Sequence, residues 1–104
     1  MKKIIDGKRY DTETADEIAH YDNGYPDGEF KWYEETLYRT QKGKYFVFGE
    51  GGAMTGYSQP VGDNGRGGGS GWRVLSHGEA LSWLEKYGFT EEIETHFADS
   101  VEDA

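Results

Sequence analysis

The chain has no cysteine among its 104 residues, which excludes a disulfide framework and a thiolate metal site and suits a reducing compartment. Long apolar runs are missing as well. The opening Met1-Lys2-Lys3-Ile4-Ile5 is basic but lacks the apolar stretch of a signal peptide, and no later segment has the length to span a bilayer. The chain therefore reads as intracellular. Basic residues are scarce too: 11 Lys and Arg face 20 Asp and Glu, a formal charge of −9. Such an excess repels nucleic-acid phosphates and anionic lipid and favours basic partners, so neither nucleic acid nor membrane is expected as a direct partner.

Aliphatic residues are also sparse. Hydrophobic residues make up 35% of the chain and aromatic ones 15%, with eight tyrosines. A chain of this size folds as one domain, residues 1–104, and buries roughly two-thirds of its unfolded surface. Its core must draw on Tyr, Phe and Trp, and the tyrosine hydroxyls must reach water or a partner.

The order of elements follows from turn and capping signals. Asp6-Gly7 between Lys3-Ile4-Ile5 and Lys8-Arg9-Tyr10 predicts a two-residue hairpin. Thr14-Ala15-Asp16-Glu17 has the form of a capping box, and with Ile18 and Ala19 it predicts a short helix over about 14–22. Residues 22–28, Asp22-Asn23-Gly24-Tyr25-Pro26-Asp27-Gly28, read as a loop. Two aromatic, β-branched runs, Trp32–Thr40 and Tyr45–Gly49, flank the turn Gln41-Lys42-Gly43-Lys44 and form a central hairpin. Ten of the sixteen glycines lie between Gly49 and Gly71, which predicts a long loop inside the domain. A strand from Trp72 to Leu75 follows. Ser76-x-x-Glu79 caps a helix that Gly88 ends, Thr90 begins a last helical turn or two, and Asp99–Ala104 is expected to fray. The sum is a small α+β domain, an antiparallel sheet of an N-terminal hairpin, a central hairpin and a later strand, with two or three helices packed on one face.

No active site emerges. The glycine run lacks the Gly-Lys-Ser/Thr of a phosphate loop and leads into a strand, so it reads as a surface loop with Arg66 as its one basic group. His20, His77 and His96 have no zinc-site spacing and read as helix-surface residues. Glu34 and Glu35, adjacent on a strand, point to opposite faces and are no catalytic pair. The serines lack a nucleophile elbow. Catalysis, a cofactor and a metal are therefore not expected.

The acids are more informative. No Lys or Arg follows Gly88, whereas Glu91, Glu92, Glu94, Asp99, Glu102 and Asp103 all do. A second cluster holds Asp11, Glu13, Asp16 and Glu17, joined by Asp22, Asp27 and Glu29. If the helix at 14–22 and the C-terminal segment share one side, these carboxylates form a negative face for a cationic groove; otherwise they are two separate solvated surfaces. Tyr25 and Tyr57, both in expected loops, are the aromatic candidates for a binding hot spot.

The opening Lys2-Lys3-Ile4-Ile5-Asp6-Gly7-Lys8-Arg9-Tyr10-Asp11-Thr12-Glu13-Thr14-Ala15 resembles a start, KKIIxGKxYDTETA, of small proteins of phages, prophages and conjugative elements in Gram-positive bacteria. The resemblance extends through Trp32–Thr40, Phe48–Gly52 and Leu75-Ser76 and covers most of the chain. The group is similar to anti-CRISPR proteins, which switch off a host CRISPR–Cas effector. The resemblance implies a cytoplasmic inhibitor in a bacterial host, binding a basic Cas effector through acidic surfaces and blocking nucleic-acid engagement or guide assembly. The alternatives are an accessory protein that binds another basic host or phage protein, and an enzyme acting on guide RNA. The resemblance transfers no catalytic residue.

Overall fold

The computed structural model describes residues 1–104. Asp6 and Gly7 have φ of 51° and 75°, the left-handed backbone that a two-residue hairpin turn requires. They join β1 (Lys2–Ile5) to β2 (Lys8–Asp11). The main sheet is antiparallel with strand order β3-β4-β5-β8, built from β3 (Asp16–Asp22), β4 (Tyr33–Arg39), β5 (Tyr45–Gly51) and β8 (Gly69–Leu75). A small hairpin of β6 (Gln59–Val61) and β7 (Gly65–Gly67) lies between β5 and β8. Helix α1 (His77–Lys86), helix α2 (Thr90–His96) and a 3-10 turn (Ala98–Ser100) end the chain. The architecture is thus α+β, as the pattern of signals implies, and none of its helices is long and apolar enough to cross a membrane.

Strand alternation gives the main sheet two different faces. Ala19, Leu37, Val47 and Tyr45 point to one side, where they pack with Ala80, Trp83 and Leu84 of α1 and with Phe97. Leu37, Val47, Ala80 and Leu84 are fully buried. The capping box is formed as expected: Glu79 N–H donates to Ser76 Oγ at 3.1 Å, and Ser76 N–H donates to Glu79 Oε1 at 2.8 Å. These bonds to Ser76 also draw the Glu79 pKa down.

On the other face His20, Thr36, Phe48 and Trp72 stand in one row across the four strands. Phe46 stacks on Tyr38 and Trp72 at 5.0 and 5.6 Å, and Tyr10 of the N-terminal hairpin meets it edge-on at 5.5 Å. The hairpin therefore covers only the end of this face near the β4–β5 turn. The opposite end, with Asp22, Glu34 and Glu50, lies beyond Tyr10's reach.

Two expected elements are replaced. Residues 14–22 hold no helix: Thr14 and Ala15 close a turn on the Asp11 carbonyl, and β3 begins at Asp16. The register shifts between Glu17 and Ala19, a β-bulge, so Ile18 and Ala19 are both buried. Two consecutive buried residues break strand alternation and mimic a helical stripe, while pairing with β4 overrides the local capping signal. His20 is accordingly a strand residue, whereas His77 opens α1 and His96 closes α2.

The stretch 49–71 is likewise not one long loop. Strand β5 runs to Gly51, β8 starts at Gly69, and β6 and β7 pair between them. Its glycines make room for packing. A Cβ on Gly49 would collide with the Tyr57 ring, which also lies 3.5 Å from where a Gly71 Cβ would sit. Arg66 bonds Ser58 within this segment, its Nε donating to Ser58 Oγ at 3.0 Å.

Candidate functional site

Glu34 and Glu35 separate two sites because they leave β4 in opposite directions. On the helix side, the buried Glu35 carboxylate accepts three hydrogen bonds. Trp83 Nε1 donates to Oε1 at 2.8 Å, Arg73 Nη2 donates to Oε2 at 2.8 Å, and the Tyr57 hydroxyl donates to the same oxygen. Burial and the bond to Glu35 push the Tyr57 pKa up. Burial opposes the Arg73 charge most strongly of any single effect, but the Glu35 carboxylate and the Tyr57 hydroxyl together outweigh it and the guanidinium pKa rises. Next to them the Tyr33 and Tyr87 hydroxyls lie 3.0 Å apart, and burial followed by this bond raises Tyr33 to about 12.

These groups line a cleft of about 940 Å³ between α1, β8 and the glycine-rich segment. With both carboxylate oxygens accepting bonds, Glu35 anchors the cleft. It holds Tyr57, and with it the segment after β5, against the sheet. No buried side-chain polar atom lacks a partner, so this network is a closed one.

The other site is arranged in the opposite sense. Glu50 stands directly across from Glu34, and Asp22 stands across from Glu34 on the other side. Burial raises the Glu50 pKa, and hydrogen bonding to Glu34 and the charges of Glu34 and Asp27 raise it further. Like charges facing each other across strands are destabilising. The influence of Asp27 on Glu50 ties the loop after β3 to this end of the sheet.

The base of that loop is closed by Asn23, whose Nδ2 donates to the Lys31 carbonyl at 2.8 Å and whose Oδ1 accepts from Tyr33 N–H at 3.2 Å. From the segment after β5, Met54 N–H donates to the Phe30 carbonyl of this loop at 2.8 Å. Phe30 and Met54 are each 65% exposed, and Tyr25 is exposed as well. The outcome is an apolar pair, one residue from each of two loops, at the end of the sheet where Asp22, Glu34 and Glu50 lie on three neighbouring strands and Asp27 and Glu29 on the first loop.

The residues singled out by sequence are distributed unevenly. Tyr25 joins this acidic end. Tyr57 does not: its hydroxyl is spent on Glu35. Asp11 accepts from Glu13 N–H at 2.9 Å in the turn after β2. Asp16 and Glu17 start β3 opposite Arg39 and Tyr38. Glu91, Glu92 and Glu94 lie on α2, with Asp99 in the 3-10 turn. Asp16 pairs with Arg39 on the helix side, and Ile93 of α2 packs against the same core as Ile18, so Asp16 and Glu91–Glu94 border the helical side of the sheet, whereas Glu17 stands opposite Tyr38 on the other face. The pair Glu34 and Glu50, and the apolar Phe30 and Met54, escaped the sequence reading. The hairpin held the signal for the first pair: counting outward equally from Thr40 and Lys44 reaches Glu34 and Glu50 together. No known protein family, curated protein or solved structure matches the chain.

Proposed function

We propose that the protein acts by stoichiometric binding to a basic protein, through the end of the sheet that carries Asp22, Glu34 and Glu50 together with Tyr25, Phe30 and Met54. The observation that carries this reading is the exposed Phe30–Met54 pair set among carboxylates. Two large apolar side chains left open to water favour burial in a partner. The Glu34–Glu50 pair adds a reason for that partner to be cationic, since a Lys or Arg placed between the two carboxylates relieves their repulsion.

On the sequence resemblance, the basic partner in this proposal is a Cas effector. Such effectors hold their guide duplex in a positively charged channel and read a short target flank with Arg or Lys. A compact anion competes for those cations, and its affinity weakens as salt rises. The segments 11–17 and 91–103 supply longer-range attraction on this reading, with contact made at the Phe30 end.

Capture of partners from a CRISPR-bearing host with the tagged chain tests the reading, alongside phage challenge with and without the gene. The expected result is recovery of a Cas subunit, lost in high salt, and restored phage growth. Recovery of other basic proteins without any Cas subunit would sink the Cas assignment. Destruction of guide RNA by substoichiometric protein would sink stoichiometric binding.

A further inference from the structure

We propose that His20, Asp22 and Glu34 form a binding site for a divalent transition-metal ion on the sheet face away from the helices. His20 and Asp22 are two apart on β3 and share a face, and Glu34 is the cross-strand partner of Asp22. One ligand atom from each, an imidazole nitrogen and two carboxylate oxygens, all lie within 4.8 Å of one another. His20 Nε2 is 3.4 Å from Glu34 Oε2. Two ligands at about 2.0–2.1 Å from a tetrahedral ion are about 3.3 Å apart, so this pair already has a ligating separation.

Groups outside the set orient two of its members. His20 Nδ1 is hydrogen-bonded to Oγ1 of the buried Thr36 at 2.8 Å, which leaves Nε2 as the free ring nitrogen, turned toward the carboxylate. This is the arrangement in which metal-binding imidazoles are held from behind by a neighbouring oxygen. Asp22 Oδ1 accepts from Gly24 N–H at 2.8 Å, leaving its second oxygen free. Glu50, across from Glu34, adds a carboxyl group at the rim. An imidazole with carboxylates suits Zn²⁺, Co²⁺, Ni²⁺ or Mn²⁺ better than Mg²⁺ or Ca²⁺, which prefer all-oxygen sets. Three protein ligands leave a coordination position for water or for a group from outside the chain. The competing arrangement is a plain His20–Glu34 ion pair that needs a proton on the imidazole rather than a metal. The site stands on this geometry and does not rest on the docking reading.

The test is titration of the full chain, freed of metal by chelator, with zinc chloride and separately with magnesium chloride. Calorimetry gives the stoichiometry, and imidazole NMR signals identify the histidine. The expected result is saturation by zinc at one equivalent, with His20 shifted, His77 and His96 unmoved, and no saturation by magnesium. His20→Ala and Glu34→Gln, each checked for an unchanged melting temperature, should abolish it. Thr36→Val should weaken it about tenfold or more, while Phe30→Ser, which removes a docking residue, should leave it intact. No saturable zinc binding, equal shifts at all three histidines, or full binding by both His20→Ala and Glu34→Gln would overturn the proposal.

Discussion

Glu34 and Glu35 are consecutive residues of one strand, yet the two sheet faces use them in opposite ways. On the helix side, Glu35 is surrounded by Trp83, Arg73 and Tyr57, and its bonds fasten the glycine-rich segment over the core. On the other side, Glu34 faces Glu50 and Asp22, with Arg and Lys absent from its immediate cross-strand neighbours. A carboxylate that gathers donors stabilises its own fold. A carboxylate that gathers other carboxylates leaves a demand for positive charge, which within the chain only the imidazole of His20, 3.4 Å from Glu34, is placed to answer. That difference separates the face that builds the domain from the face available to something else.

The contrast is easiest to break at Glu35. Glu35→Ala leaves Trp83, Tyr57 and Arg73 without their acceptor and should cost about 3 kcal/mol, read by chemical denaturation, whereas Glu34→Ala should stay within about 0.5 kcal/mol of the parent. Equal losses would erase the distinction between the faces.

Gly49→Ala sets a methyl group against the Tyr57 ring and should cost about 1–3 kcal/mol. It should also open the segment from Gly52 to Gly68 to proteolysis faster than it melts the sheet. Uniform loss of protection would mean that Tyr57 does not fasten that segment.

Alkaline pH probes the same face through Tyr33. Its pKa is raised from 10.0 to about 12 in the folded chain, so between those values the unfolded chain gives up its proton first. Stability contributed by the neutral hydroxyl is complete below pH 10 and is lost as pH rises through about 12. Melting temperature should fall more steeply across this window in the parent than in Tyr33→Phe. Parallel curves would contradict the buried Tyr33–Tyr87 pair.

The smallest effect has the opposite sign. Glu50→Gln removes half of a like-charged pair and should stabilise the chain by about 0.5 kcal/mol, measured by thermal unfolding at neutral pH. A loss of stability would mean that Glu50 serves the fold rather than a partner.

Much of the fold was legible because its signals are local. Asp6-Gly7, the turn at Gln41–Lys44 and the Ser76 capping box each define their element without help from distant residues. Residues 14–22 were misread because the bulge at Ile18 is imposed by pairing with β4. The glycine-rich stretch was misread because its glycines answer to Tyr57, a contact that depends on the folded sheet. Gly49 inside an aromatic strand was nonetheless a sign of close approach. The opposite directions of Glu34 and Glu35 could be read from alternation alone, and the loop position of Tyr25 from the turn residues around it. The approach of Phe30 and Met54 could not be, because it depends on a backbone bond between two loops far apart in sequence.

The central claim is that the open acidic end, and not the acidic helix α2, makes contact with the partner. Affinity for the basic protein captured by the parent chain should be compared between Glu34→Lys/Glu50→Lys and Glu91→Lys/Glu92→Lys/Glu94→Lys, each with an unchanged melting temperature. The account predicts at least a tenfold loss for the first variant and a smaller, salt-screened loss for the second. Full affinity in the first variant with loss in the second would contradict it.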